Sequence, residues 1–168
     1  MKQRSPRFIA FAIKAFIISG SLMYCYTGNA QSIVGKWKMT AAKETVTDPS
    51  GHKQDLTAQM GDITKMIEQI IEFHADKTYF TSNTMVGAKS GLQTTGTYSV
   101  SGNQLKLQPG KNNLSNAKYP SNPMSSKLPD NMTIVSQTGS SLVLHYSAET
   151  TDNGKSFTVD ITDTFTKQ

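Results

Sequence analysis

The side chains in this 168-residue sequence that could bind a metal or move a proton are few and scattered. His52, His74 and His145 follow no metal-ligand spacing, and the single cysteine, Cys25, lies far from all three. A zinc site draws three or four such ligands together, so no metal and no other cofactor is expected. Glu68 and Glu72 stand four residues apart. Glycoside hydrolysis sets its carboxylates across a cleft, whereas this spacing puts both on one solvated helix face. No serine occupies a Gly-x-Ser-x-Gly elbow, the turn that exposes a nucleophile in many hydrolases. A non-enzymatic protein is expected. The aromatic side chains Tyr79, Tyr98, Tyr146 and Phe157 are more informative, because each falls in a short alternating run. Such residues either line an interior that holds a small apolar molecule or fill it.

The elements that must position them begin after a segment that reads as a targeting signal. Lys2, Arg4 and Arg7 precede an apolar run from Phe8 to Tyr26, and "TGNAQS" supplies Gly28 and Ala30 as small residues for cleavage after Ala30. Lys14 interrupts the run, and the remaining uncharged stretch from Ala15 to Tyr26 is shorter than the roughly 20 residues a spanning helix needs. Residues 1–30 are therefore expected to be a cleaved signal peptide and residues 31–168 the exported domain, periplasmic or extracellular. "SLMYC" also resembles a lipoprotein processing site, but Tyr24 stands where such sites carry a small residue, so lipid anchoring through Cys25 is the lesser alternative. Without Cys25 the domain has no cysteine, and no disulfide-linked partner is expected.

Four of the seventeen basic residues (Lys2, Arg4, Arg7, Lys14) lie in the signal and all twelve acids beyond it, leaving residues 31–168 with a net charge of only +1. Both arginines leave with it. Arginine forks are the usual tool for phosphate recognition, so no nucleic-acid partner is expected.

Residues 31–168 are the size of one domain and carry short apolar bursts between turn residues. Trp37, Met39 and Ala41 alternate with Lys36, Lys38 and Thr40, the period of a strand with one buried face. "TDPSGHKQD", residues 47–55, is a turn-rich connection. Leu56, Met60, Ile63, Ile67, Ile70 and Ile71 recur at helical spacing, which predicts an amphipathic helix over roughly 56–68, with Asp55 as its N-cap. Strands resume at Gln69: two around "ADK", a hairpin in "GTYSVSGNQLKLQ", then "MTIVSQ", "SLVLHYSAE" and the run from Phe157 to Phe165. In that last run Phe157, Val159, Ile161 and Phe165 point inward, and Asp163 falls on the same side. It is either rotated out by a bulge or buried with a polar partner. Residues 109–131, with Pro109, Pro120, Pro123 and Pro129, read as a long loop. About eight strands and one helix result, and antiparallel strands in that number shed their edges by closing into a barrel.

Gly35-Lys36-Trp37 at the head of the first strand resembles the Gly-x-Trp signature of lipocalins. "FHADKTY" and "GTYSVSGNQLKL" resemble hairpins of the small secreted lipocalin-like domains of Bacteroidetes. The resemblance implies an all-β fold: a single up-and-down antiparallel β-barrel of about eight strands, with one amphipathic helix between the first and second strands. It also implies that Gly35 and Trp37 are structural, the tryptophan packing across the closed end. The arginine that stacks on that tryptophan in the family has no counterpart here, and Lys167 is the cation available to replace it. Two functions are consistent with such a barrel. One is a carrier or sensor for a small hydrophobic molecule held by Met39, Ile63, Ile67, Tyr79, Tyr98, Tyr146 and Phe157, with the helix and the proline-rich loop as a lid. The other is an interaction module with a packed barrel and a contact loop for an envelope protein.

Overall fold

The computed structural model describes residues 32–89, 91–112 and 128–168. The expected signal segment, Cys25, Pro120 and Pro123 lie outside them. Among the described residues nine strands and one helix follow in order: β1 (Gly35–Thr47), β2 (Lys53–Asp55), α1 (Thr57–Met66), β3 (Ile67–Phe73), β4 (Thr78–Met85), β5 (Leu92–Ser101), β6 (Gln104–Asn112), β7 (Asn131–Gln137), β8 (Ser141–Asp152) and β9 (Lys155–Lys167). All pairings are antiparallel. Strands β1 and β3 to β9 pair in sequence, and β9 returns to β1 to close an eight-stranded barrel. Among the described residues the short β2 pairs only with the far end of β1. The helix thus stands between the first and second strands of the barrel.

Turn chemistry sets the register. In the β3–β4 turn, Asp76 Oδ1 accepts hydrogen bonds from Thr78 N at 2.9 Å and Thr78 Oγ1 at 2.6 Å, while Lys77 takes φ 68°. Asn153 and Gly154 both take positive φ (49° and 76°) between β8 and β9, the combination a two-residue hairpin loop requires. Asp48 Oδ1 ties the β1–β2 turn through Ser50 N at 2.8 Å and His52 N at 2.9 Å.

Three sequence expectations change. First, the helix ends at Met66 and Ile67 opens β3, paired with Met85. Ile67, Ile70 and Ile71 satisfy a helical spacing, but Gln69, Ile71 and Phe73 alternate and are buried, and β-branched residues suit the sheet. Glu68 and Glu72 consequently lie on the outer face of β3, and Glu68 pairs with Lys38 at 2.7 Å. Asp55 is not the N-cap residue, although its Oδ1 accepts from Thr57 N at 2.8 Å. Second, the β1–β9 register shifts between Met39 and Ala41, so Ala41 is exposed and Ala42 is buried instead. Third, Pro109 and Gly110 belong to β6 rather than to a loop, with Pro109 opposite Gly96.

The apolar core gathers at the end of the barrel where β1 begins. Trp37, Ile71, Phe73, Leu105, Leu107, Met132, Leu142, Leu144 and Phe165 are its most buried members. Gly96 is required there by close approach: a β-carbon on it would lie 2.2 Å from Gln108 O and 2.7 Å from Tyr79 Cε1.

Candidate functional site

The interior divides into two parts along the barrel axis. The first is the closed end around Trp37, whose indole Nε1 donates to Ile33 O at 2.7 Å. Lys167 lies with its ammonium 5.3 Å from the Trp37 ring centre and donates to Val34 O at 3.2 Å. The replacement of an arginine by Lys167 is what the structure holds. Gly35, at φ 136°, leaves room for it, because a β-carbon there would sit 2.7 Å from Lys167 Cε.

Two of the candidate ligand residues belong to this filled end. Tyr79 and Tyr98 are buried in the core cluster. Tyr98 meets Phe73 edge to face at 4.9 Å and donates to His74 O at 2.9 Å. Their rings fill space.

The other part of the interior has a different character. Strands β8 and β9 run past the apolar core, and their inward residues change from Leu142, Leu144 and Phe165 to Tyr146, Asp163, Ile161 and Val159. Asp163 is only 3% exposed. Of the two outcomes open from sequence, it is the buried one with a partner: Tyr146 donates its hydroxyl to Asp163 Oδ2 at 3.2 Å. That is the only hydrogen bond to its carboxylate among the described residues. Burial pushes the Asp163 carboxyl up to about 6, Glu44 adds to the rise, and the Tyr146 bond works against it. Burial first, then the charges of Asp163 and Glu44, holds the Tyr146 phenol well above its ordinary range.

Glu44 reaches the interior because of the bulge in β1. Strict alternation from Trp37 would turn Glu44 outward with Lys36 and Lys38. The register shift after Met39 instead pairs Ala42 with Asp163 and Glu44 with Ile161, both on the inner side. Burial raises the Glu44 carboxyl as well. On β3, Gln69 shares the inward face with Ile71 and Phe73, is 6% exposed, and makes no side-chain hydrogen bond among the described residues. Thr81 on β4 is buried opposite Ile71 of the core.

The remaining candidates surround this mixed half. Met39 and Tyr146 pack partly buried against the core. Ile67 is half-buried at the start of β3, and Phe157 is half-buried near the β8–β9 turn. Ile63 is half-buried on α1, a helix that buries no residue fully and is tied to β1 through Leu56 N and Glu44 O at 2.9 Å. The structure therefore bonds Tyr146 to Asp163, sets Met39 opposite Phe165 against the core, places Ile63, Ile67 and Phe157 toward the end where α1 lies, and assigns Tyr79 and Tyr98 to the closed end. Sequence reasoning missed Glu44, Gln69 and Thr81. Only a bulge signal in "MTAAKE" could have found Glu44, and the sequence carries none.

Outside the barrel, a cleft of about 300 Å³ lies between the end of α1 and the β4–β5 connection, lined by Lys38, Thr64, Ile67, Glu68, Met85 and Val86 among others. Met66, Met85 and Val86 are exposed around it.

The profile of the family described as lipocalin-like domain matches residues 33–144. No curated protein matches the chain.

Proposed function

We propose, since this chain belongs to the family of lipocalin-like domains, that it is an exported binding protein whose barrel takes a small, largely apolar molecule in the half beyond Leu144. Lipocalin-like barrels generally bind small hydrophobic ligands and are generally not enzymes. The observation that carries the reading is the asymmetry of the interior. One end is filled by Trp37, Phe73, Leu142 and Phe165, all at most 1% exposed. The other is walled by half-buried Met39, Val46, Tyr146, Val159 and Ile161. An eight-stranded barrel is wide enough for one small ligand where side chains do not close it. Residues 1–30 act in this reading as the export signal, with cleavage after Ala30.

Native mass spectrometry of the protein purified from its own host tests the reading. A retained mass of a few hundred daltons supports a carrier. A bare chain that also takes up no neutral apolar probe contradicts it.

A second reading, an envelope interaction module, is favoured by one observation: Met66, Met85 and Val86 are 58–69% exposed beside the outer cleft. Exposed apolar patches of this kind mark contact surfaces. It becomes the better account if the barrel binds nothing.

A further inference from the structure

Three features of the open half of the barrel point to the chemistry of what enters it. Asp163 is 3% exposed and receives one hydrogen bond, from Tyr146 to Oδ2. A buried carboxylate is ordinarily satisfied by two or three donors or by a cation. Glu44 faces inward from β1, two residues past the Ala42–Asp163 pair, and its charge acts on both Asp163 and Tyr146. Among the described residues no salt bridge joins either carboxylate. The third feature is independent of the acids. Gln69, 94% buried by its 6% exposure, points to the interior from β3 with its carboxamide unpartnered among the described residues. Asp163, Glu44 and Gln69 thus face inward from three strands, and the inward residues Met39, Val46, Val159 and Ile161 on β1 and β9 are apolar.

We propose that Asp163, Glu44, Tyr146 and Gln69 form a polar subsite for the ammonium group of a small amphiphilic cation, whose apolar body lies along Met39, Val159 and Ile161. This rests on the reading of the barrel as a ligand-binding one. An ammonium brings three donors and no acceptor, which suits an unfilled Asp163 Oδ1, a Glu44 carboxylate and the Gln69 amide oxygen. Its charge offsets the cost of keeping two carboxylates out of water. A carboxylate or phosphate ligand would add a third negative charge to the same space. A bare divalent cation fits less well, since calcium takes six to eight oxygen ligands and no cluster of three or more acidic, histidine or cysteine side chains occurs among the described residues.

The test is calorimetric titration of the purified protein with decylammonium, decanol and decanoate, which share one apolar chain and differ in head group. Decylammonium is expected to bind about tenfold or more tightly than decanol, the size of one charge-assisted hydrogen bond, with decanoate the weakest. Asp163→Asn should abolish that preference while decanol still binds. Glu44→Gln, at a less buried position, provides the same comparison if Asp163→Asn fails to fold by circular dichroism. The preference should also weaken as pH falls through about 6, where Asp163 takes up its proton. Decanol binding with no gain for the ammonium, or with decanoate tightest, overturns the subsite and leaves the ligand-binding barrel standing. Failure of all three to bind overturns both.

Discussion

The ammonium of Lys167, the penultimate residue, lies 5.3 Å from the ring centre of Trp37 and is the neighbour that a β-carbon on Gly35 would strike at 2.7 Å. The two ends of the barrel's chain are therefore closed over one tryptophan by a cation and a glycine. Trp37 is fully buried, so Trp37→Ala is expected to cost about 3–5 kcal/mol as a large-to-small core change. Chemical denaturation measures this. A loss under about 0.5 kcal/mol, the range of surface substitutions, would show that Trp37 closes nothing.

Lys167→Ala should cost much less, about 0.5–1 kcal/mol, because the ammonium is exposed and cation–π contacts at such sites are weak. Lys167→Arg should restore the loss, since a guanidinium also stacks on the indole. Equal stability of wild type and Lys167→Ala would remove the cation from the account of the closed end.

Gly96→Ala should destabilise by about 1–3 kcal/mol, the usual cost of forcing atoms into a packed core. Its new carbon would press on backbone Gln108 O at 2.2 Å, and backbone in a ladder yields less than a side-chain tip. A neutral result by the same denaturation measurement would mean that β5 and β6 part easily at the register shift between Thr94 and Gly96.

Stability should depend on pH through Asp163. Its carboxyl is raised in the folded barrel from 3.8 to about 6, so the folded state holds the proton over a range in which the unfolded chain has lost it. The folded state is then favoured most below pH 3.8 by this group, and the advantage is lost as pH rises through about 6. The full effect is up to roughly 3 kcal/mol, and Glu44, also raised by burial, acts in the same direction. Asp163→Asn should therefore be the more stable protein at pH 7.5, with the gap closing toward pH 4. Parallel stability curves for the two proteins would contradict this.

Much of the barrel was legible in the sequence because its signals are local. The period-two run in β9, the Asn153-Gly154 turn and the Gly35-Lys36-Trp37 stretch each report their own geometry, and Asp163 stood out as a polar residue in an apolar series. Lys167 was legible because no arginine follows Arg7. Two features were not. Glu44 turns inward only because of a one-residue bulge after Met39, and a bulge reverses the facing of every residue beyond it without changing composition. Ile67 satisfies helix and strand periods alike, and its place was decided by pairing with Met85, a contact eighteen residues away. The candidate site depends on both, which is why Met39 and Tyr146 were named from the sequence while Glu44 was not, and why Tyr79 and Tyr98, which pack in the core, were named with them.

Ile67→Asn tests whether the mouth of the barrel is used for entry. Ile67 is half-buried where α1 meets β3, so the change should weaken uptake of a neutral apolar probe by about tenfold, one buried aliphatic contact, while far-UV circular dichroism stays that of a folded sheet. Unchanged uptake in a folded variant would place the binding region elsewhere.

The central claim is that the half of the barrel beyond Leu144 holds a ligand. Fluorescence titration of the wild-type protein with N-phenyl-1-naphthylamine tests it most directly. The account predicts saturable enhancement with one site per chain, reversed by decylammonium. A folded protein that gives no enhancement would contradict it and leave the packed envelope module as the explanation.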